Sequence, residues 1–315
     1  MSDKKSYSFV CNEEQQIALL SELERTCYQP TEVPHAQKAV KTHNCRINLY
    51  QSGKLLVQGK GAHDWILYTL EPHILKETVL GYEALHNPEH YEPHIGVDES
   101  GKGDYFGPLV IAAVYVNDSI VNEFNQLGVC DSKTIKSDKK IIQIAKEIKK
   151  IVGDRLSMVT IGPAAYNRMY AKIGNVNKIL AWAHARTIEN VLEVVPDCPR
   201  ALADKFGPEA RIKKALLDRG KKIILEQRTK AESDPAVAAA SIIARAGFVT
   251  AMSRMEKQYQ LDIPKGCSEK VRHVAQQLIQ QHKPELLLEC VKCHFKTTDQ
   301  VLNELGFDRS VIKNI

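Results

Sequence analysis

The sequence lacks any run of about 18 consecutive apolar residues, the length that a helix needs to cross a bilayer, so it predicts no membrane-spanning segment. Its beginning, MSDKKSYSFVCNEEQQ, has lysines but no apolar stretch before the first glutamates, unlike a secretory signal. Hydrophobic residues make up 43% and charged residues 26% of the 315 positions, which is ordinary for a globular protein. We therefore expect a cytoplasmic protein of about two domains.

A disulfide framework is also missing. The eight cysteines follow no framework spacing, and thiols stay reduced in the cytoplasm. The segment CVKCH at 290–294 spells the c-type haem attachment motif, but that attachment takes place on exported proteins. No second CxxC motif supplies the remaining ligands of a zinc site. We expect neither haem nor zinc, and interpret the segment as the end of a helical stretch.

Charge is distributed unevenly along the chain. Residues 1–90 carry 9 Lys+Arg and 11 Asp+Glu, a net charge of −2, whereas the remainder carries 34 and 27, a net charge of +7. Within the first part, residues 36–61 contain no acid but five basic residues: Lys38, Lys41, Arg46, Lys54 and Lys60. Such a run is often only a solvated surface, yet acid-free basic strands also suit a phosphate backbone. The five residues are therefore candidate nucleic-acid contacts.

Hydrophobic periodicity divides the chain into two domains. Residues 1–82 indicate a small α+β domain: a strand, a helix capped by Asn12, strands that turn at Ser52-Gly53, and a helix over about 62–80. This order predicts one sheet with helices on one face and an open face that carries the basic strands. The polar stretch 83–93 is the predicted linker, and 94–315 is a larger α/β domain.

The larger domain shows strands and helices in succession. Strands are predicted at HIGVDES, PLVIAAVYVN, LSMVTIG, RALADKF and KIILEQR. Helices are predicted over about 136–152, 176–194 and 209–219, with a long apolar helix that starts near Asp234.

The stretch GVDESGKG at 96–103 has the spacing of a nucleotide-binding P-loop up to its last position. Gly103 stands where a P-loop has the Ser or Thr that holds magnesium. Asp98 and Glu99 would repel the phosphates that such a loop binds. The P-loop reading stays an alternative, and a test of ATP binding decides it.

Acidic residues follow apolar elements at several places. Asp98 and Glu99 end a strand and lead into the glycines of SGKGDYFGP, and Asp204 ends another strand. In TKAESDPAV, Pro235 suits the first helical position, which makes Asp234 the N-cap and leaves Glu232 available for function. Solvated acids at element ends are the common case, but this set also suits a metal site.

Carboxylates gathered without histidines at ligand spacing favour hard cations such as Mg²⁺ or Mn²⁺ over zinc. Two such ions can activate a water and stabilise the leaving oxygen in phosphodiester cleavage. The acids of GVDESGKG thus predict a metal-dependent hydrolase that uses Mg²⁺ or Mn²⁺.

Six spaced motifs resemble those of the ribonuclease HIII family, a bacterial type 2 ribonuclease H: GVDESGKGDYFGPLV, GVCDSKTIKSDKKI, VNKILAWAHA, LADKF, TKAESDPAVAAASIIAR, and LDIPKGCS with VKCHFKTT. The resemblance covers residues 94–306 and extends more weakly to the N-terminal unit, which is similar to the TATA-binding-protein-like domain of that family. It implies a ribonuclease H-like catalytic domain, a mixed sheet flanked by helices, preceded by that small α+β domain.

The resemblance also implies an activity and a set of site residues. The activity is hydrolysis of the RNA strand of RNA/DNA hybrids by a monomer, leaving 3′-hydroxyl and 5′-phosphate ends. The catalytic, metal-binding quartet falls on Asp98, Glu99, Asp204 and Glu232, and glutamate at the fourth place together with the extra domain indicates HIII rather than HII. Gly101, Lys102 and Gly103 match the segment that contacts 2′-hydroxyls, and Lys133 is a candidate phosphate contact. A nucleic-acid-binding protein without activity stays an alternative, against which the presence of all four acids argues.

Overall fold

The computed structural model describes residues 6–25, 27–76, 87–130, 132–208, 210–229 and 231–312. Contacts between Cα atoms divide the chain into an N-terminal unit, Met1–Glu89, and a C-terminal unit, His90–Ile315. The boundary lies inside the segment predicted to be a linker, 83–93, of which 83–86 are outside the described residues.

The N-terminal unit is built on an antiparallel sheet with the strand order β1-β5-β4-β3-β2. Its strands are β1 (Ser6–Val10), β2 (Gln29–Pro30), β3 (Ala36–Lys41), β4 (Arg46–Tyr50) and β5 (Lys54–Gln58). Its helices are α1 (Glu13–Glu22) and α2 (Ala62–Trp65), and α2 continues as a π-helical stretch over Ile66–Leu75. Ile47 and Leu55 pack with Leu19 and Ile66 in the core, so these helices cover one face of the sheet.

The first helix begins as its sequence predicts. Asn12 is the N-cap: its side chain accepts a hydrogen bond from the Gln15 N–H (2.9 Å), and the Gln15 side chain accepts one from the Asn12 N–H (3.0 Å). The helix predicted over 62–80 is α-helical for one turn only. Pro72 has no N–H to donate within the later turns, and Lys76 ends them in the left-handed conformation (φ 55°); residues 77–80 are outside the described range.

The C-terminal unit has a mixed sheet with the strand order β10-β9-β6-β7-β8. Its strands are β6 (His94–Ser100), β7 (Leu109–Val116), β8 (Leu156–Ile161), β9 (Arg200–Asp204) and β10 (Ile224–Arg228). The first three pair antiparallel, whereas β9 runs parallel to β6 and β10 runs parallel to β9. All five coincide with predicted strands.

Helices flank this sheet. They are α3 (Asp118–Leu127), α4 (Asp138–Val152), α5 (Pro163–Ile173), α6 (Val176–Val194), α7 (Ala210–Ala215), α8 (Pro235–Tyr259), α9 (Glu269–Gln281), α10 (Leu287–Cys290) and α11 (Lys296–Glu304). The main contacts of α8 are with β6, β7 and α4, and those of α6 include β7 and β8. Among the described residues, α8 alone is long and apolar enough to cross a membrane, but most of it is buried inside this unit.

The prediction of a helix over 209–219 was wrong in length, because α7 ends at Ala215. Beyond it, the Glu189 carboxylate accepts hydrogen bonds from the N–H groups of Leu217 (2.7 Å) and Gly220 (2.8 Å). These N–H groups therefore point at a buried side chain of α6 instead of continuing the helix.

Candidate active site

Two carboxylates meet where the parallel pairing between β6 and β9 ends. Val97 on β6 pairs with Ala203 on β9, so the residues that follow, Asp98 and Asp204, lie at the same edge of the sheet. The two acids, together with Glu99, line one cleft, and the negative charge of Asp204 acts on Asp98. The structure thus brings three of the four predicted acids together at one edge of the sheet.

Asp98 lies on the face of β6 that α8 covers. Its carboxylate interacts with Ser241 of α8 and accepts a hydrogen bond from the Glu99 N–H at 2.8 Å. Burial, and next the charge of Glu99, raise the pKa of Asp98 to about 7, and the two hydrogen bonds offset only part of this. A cation nearby would stabilise the ionised form of this carboxyl group.

Glu99 points to the opposite face of the same strand, as alternation along a strand requires. Its Oε2 lies 3.1 Å from His184 Nε2 on α6, and its Oε1 lies 3.4 Å from Lys102 Nζ. Burial by itself raises the pKa of Glu99, but the hydrogen bond and charge of His184, followed by the charge of Lys102, outweigh it and hold that pKa below its usual value. Glu99 is therefore the acid of the pair that stays ionised.

His184 is a site residue that the sequence prediction missed. It is fully buried, its ring packs on Phe206 at 4.7 Å between centroids, and its Nδ1 has no hydrogen-bond partner. The signal available in the sequence was a histidine inside the apolar stretch of the helix VNKILAWAHA. That pattern alone did not indicate that the ring faces Glu99 on β6.

Glu232 occupies the short 3₁₀ turn Ala231–Ser233 that precedes α8. It does not line the cleft with the other three acids; its carboxylate lies 3.8 Å from Lys133 Nζ, and Lys133 does line the cleft. The turn is tied to the cleft by the Ala231 N–H, which lies 3.4 Å from Asp204 Oδ1. Glu232, the fourth predicted acid, thus lies beside the cleft, next to Lys133.

Asp234 has the structural role that the sequence assigned to it. It caps α8 by accepting hydrogen bonds from the N–H groups of Ala236 (2.9 Å) and Val237 (3.2 Å). Its two oxygens also lie 3.0 Å from His94 Nε2 on β6. The cap therefore fixes the start of α8 against the strand that carries Asp98.

The loop 101–108 connects β6 to β7, which are antiparallel neighbours. A P-loop leads from a strand into a helix, so this topology excludes the nucleotide-loop alternative. Gly101 has a φ of +89°, and a Cβ there would lie 2.2 Å from the Pro108 carbonyl oxygen. Gly103, in contrast, has no heavy atom within 4 Å of such a Cβ, so its surface is open to a ligand.

Basic side chains line the same cleft as the acids: Lys102, Lys133, Arg245 and Lys265. Two of them share a partner, because Lys265 (2.6 Å) and Arg245 (3.5 Å) both form ion pairs with Asp138 of α4. Lys102 lies 5.6 Å from the centre of the Phe206 ring. A cleft with acids at its floor and cations beside them suits a phosphate ester that is held over a metal site.

The residues at the cleft fit a divalent cation. The donors are carboxylate oxygens only, the ligands that Mg²⁺ and Mn²⁺ prefer, and burial destabilises the charged form of Asp98. Across the described ranges, no three Asp, Glu, His or Cys side chains already form a compact metal-binding group. The acids are therefore gathered at one edge without forming a closed cage.

The predicted basic residues of the N-terminal unit do not share one face. Arg46 on β4 pairs directly with Lys41 on β3, and Lys54 on β5 points to the same side, away from the core residues. Lys38 lies three residues before Lys41 on β3 and pairs with the core residue Leu49, so its side chain points to the helix-covered face, 3.9 Å from Glu24. The prediction that one open face carries all the basic residues of the strands is therefore wrong for Lys38. Lys60 lies outside the strands, in the turn after β5.

The eight cysteines are all free thiols, and the helix α10 ends at Cys290, as interpreted from the sequence. The segment CVKCH at 290–294, which we call the haem-like segment, is packed into the C-terminal unit. Cys293 is buried, and its N–H donates to Asn167 Oδ1 at 2.9 Å.

Comparison with known proteins gives a consistent result over both units. Residues 95–298 match a family model described as ribonuclease HII, and residues 9–65 match one described as a domain of unknown function. The chain is 38% identical to ribonuclease HIII of Protochlamydia amoebophila, over 91% of this chain and 94% of that protein. It is 39% identical to ribonuclease HIII of Chlamydia pneumoniae, over 83% and 86%.

Solved structures are similar over nearly the whole chain. The crystal structure of Bst-RNase HIII in complex with Mn²⁺ superposes with a TM-score of 0.65 and 29% identity, covering 98% of this chain and all of that one. The structure of Aquifex aeolicus RNase H3 gives a TM-score of 0.53 and 26% identity, with 92% of this chain covered.

Proposed function

The chain belongs to the ribonuclease HIII family and is a ribonuclease H that cleaves the RNA strand of RNA/DNA hybrids, and we propose that it does so by hydrolysis that depends on divalent cations. The products of this reaction are a 3′-hydroxyl end and a 5′-phosphate end. The observation that carries the proposal is the meeting of Asp98, Glu99 and Asp204 at the end of two parallel strands, in a cleft with basic residues beside them.

Asp98, Glu99 and Asp204 would hold the cation, with Glu232 joining them from the neighbouring turn. Two Mg²⁺ or Mn²⁺ ions fit this role, and Mn²⁺ is present in the Bst-RNase HIII structure. When bound, such ions supply Lewis-acid chemistry, stabilising the charge on the attacking and leaving oxygens of the phosphodiester. The high pKa of Asp98 supports this role, since a cation offsets both the burial and the charge of Glu99 that disfavour its ionised form.

The other residues of the cleft bind and orient the substrate. Lys102 and Lys133 carry positive charge beside the acids and would hold phosphates of the strand. The open surface at Gly103 lets the backbone of the loop approach a 2′-hydroxyl, the group that distinguishes RNA from DNA. Glu99, held by His184, keeps a fixed carboxylate at the strand end.

The N-terminal unit adds affinity without reading sequence. Lys41, Arg46 and Lys54 present positive charge on one face of its sheet, and phosphate contacts of this kind do not depend on the bases.

The test is cleavage of an end-labelled RNA/DNA hybrid with Mg²⁺, Mn²⁺ or EDTA. We expect cleavage with either cation and none with EDTA, and products that a polynucleotide kinase labels only after phosphatase treatment, because the 5′ end is a phosphate. Asp98→Asn should abolish cleavage, whereas Asp118→Asn, the same change at an exposed position in the first turn of α3, should leave it intact.

A duplex of DNA with a single ribonucleotide serves as the second substrate, and we expect poor cleavage of it. Hybrid cleavage that persists in EDTA, or an active Asp98→Asn protein, contradicts the metal-dependent mechanism. Binding of the hybrid without cleavage under any condition favours the binding protein without activity.

A further inference from the structure

Lys292 is a fully buried lysine in the haem-like segment, between Cys290 and Cys293. Its Nζ donates hydrogen bonds to the carbonyl oxygens of Gly107 (2.6 Å) and Phe106 (3.2 Å). No carboxylate in the described ranges forms an ion pair with it, and Asp104 acts on it only through its charge. The lysine is therefore held by two main-chain carbonyls of the loop 101–108.

This arrangement is costly for a stability role alone. Burial lowers the pKa of Lys292 to about 7, because the interior disfavours the ammonium form. An apolar side chain of the same length would fill the site without that cost, and buried charges commonly stabilise a fold less than well-packed apolar residues do. An apolar side chain would, however, leave the carbonyls of Phe106 and Gly107 without this donor, so what distinguishes Lys292 is its hold on these two groups.

The loop it holds is the one that reaches the active site. Main-chain hydrogen bonds already join it to the C-terminal segment: the Lys292 N–H donates to Tyr105 O (2.9 Å), and the Gly107 N–H donates to Cys290 O (3.0 Å). Lys292 Nζ adds the side-chain contacts at Phe106 and Gly107, beside Pro108.

The two ends of the loop touch each other. Gly101 packs so close to the Pro108 carbonyl that a Cβ would come within 2.2 Å of it, and the Asp104 N–H lies 3.4 Å from Gly101 O. A shift of Phe106 and Gly107 would therefore move Pro108, and with it Gly101 and the segment up to Gly103.

We propose that Lys292 is a positioning residue that fixes the loop 101–108 through the carbonyls of Phe106 and Gly107, and so sets the place of Gly101–Gly103 against the RNA strand. The inference rests on the proposed contact between Gly101–Gly103 and the substrate. Lys292 itself touches neither substrate nor metal.

The experiment measures KM and kcat on an RNA/DNA hybrid, and thermal unfolding, for the full-length protein and three variants. Lys292→Met keeps the length of the side chain but donates no hydrogen bond. Gly103→Ala probes the substrate contact, because its new methyl group meets no protein atom within 4 Å. Val152→Ala, a buried position at the end of α4, is the control for loss of stability.

We expect Lys292→Met to raise KM about tenfold, because misplacing a contact by a fraction of an ångström weakens binding of the strand, with kcat within about twofold of wild type. Gly103→Ala should raise KM as well. Val152→Ala should lower the unfolding temperature without a change in KM, since a purely structural loss reduces only the amount of folded enzyme.

An unchanged KM for folded Lys292→Met while Gly103→Ala raises KM overturns the positioning role and leaves the substrate contact standing. If neither variant changes KM, the contact between Gly101–Gly103 and the RNA strand is overturned, and with it the positioning role of Lys292. If Lys292→Met alone raises KM, Lys292 does not act through Gly101–Gly103. Should Lys292→Met not fold, Lys292→Gln takes its place with the opposite expectation: its amide still donates hydrogen bonds without a charge, so KM should stay within about twofold of wild type, and a tenfold higher KM in the folded variant overturns the role of the two hydrogen bonds.

Discussion

Gly96 packs directly against the Ala236–Val237 peptide: a Cβ on Gly96 would lie 2.2 Å from both the Ala236 carbonyl carbon and the Val237 nitrogen. The first turn of α8 thus rests on β6 two residues before Asp98. This contact, together with the Asp234 cap and its His94 partner, aligns the start of α8 with the acidic edge of the sheet.

We expect Gly96→Ala to push α8 away from β6. Overpacking of this kind costs about 1–3 kcal/mol of the free energy of unfolding, and activity should fall further because Ser241 moves away from Asp98. Thermal unfolding and hybrid cleavage measure the two effects. The control for stability is Gly103→Ala, whose methyl group has open space. Equal unfolding temperatures for the two variants would contradict the packing argument.

The raised pKa of Asp98 makes the metal-free protein sensitive to pH. A carboxyl group whose pKa rises from 3.8 to about 7 on folding stabilises the folded state below pH 4 and loses this contribution as the pH rises to about 7. Asp98→Asn has no such loss. In EDTA, the variant should therefore gain stability relative to wild type between pH 4 and pH 8, by about 1–2 kcal/mol after allowance for partial solvent exposure.

At pH 8, metal binding should make the wild type more stable than Asp98→Asn, the reverse of the order in EDTA. Mg²⁺ binds the folded wild type and raises its unfolding temperature, whereas it should hardly affect Asp98→Asn. Differential scanning calorimetry in EDTA and in Mg²⁺ gives all four values, with Asp118→Asn as the matched control. A parallel pH dependence of wild type and Asp98→Asn in EDTA would show that Asp98 has an ordinary pKa.

His184 should determine the acid limb of the activity profile. With leucine in its place, nothing from α6 opposes the effect of burial on Glu99, and the pKa of Glu99 rises. His184→Leu should therefore lose more activity at pH 6 than at pH 8, measured as kcat/KM against pH. Arg186→Gln, at an exposed position of the same helix, should keep the wild-type profile. A uniform loss at all pH values would assign His184 a role in packing only.

Lys133 should contribute one phosphate contact. Lys133→Met is expected to raise KM for the hybrid about three- to tenfold at low salt and to reduce the salt dependence of binding by about one unit of slope. The comparison is Lys150→Met, which removes an exposed lysine paired with Glu147 at 2.8 Å on α4. The role fails if the two variants have the same slope.

The face of the N-terminal sheet that meets the hybrid is also open to test. The double variant Lys41→Met, Arg46→Met removes a cross-strand pair and should lower the salt slope of binding by about two units. Lys38→Met alters the other face, where Lys38 lies 3.9 Å from Glu24, and should leave the slope unchanged. The salt slope of binding is measured by fluorescence anisotropy with a labelled hybrid at several salt concentrations. A slope that falls in Lys38→Met but not in the double variant would assign binding to the helix-covered face.

Local sequence signals located the strands and the helix caps. Asn12 and Asp234 cap their helices as predicted because a cap needs only its own side chain and the N–H groups two or three residues later. The prediction failed where a distant side chain intervened. Glu189 binds the N–H groups of Leu217 and Gly220, so α7 is shorter than its sequence indicates.

The sequence by itself determined that Asp98, Glu99 and Asp204 end apolar strands and that Asp234 is a cap, since these properties follow from period and spacing along the chain. Only the tertiary structure decided that β6 and β9 are parallel neighbours, that His184 faces Glu99, and that Lys292 holds the loop beside the acids. Each of these contacts joins residues that are far apart in sequence and depends on how buried surfaces pack, which no local pattern encodes.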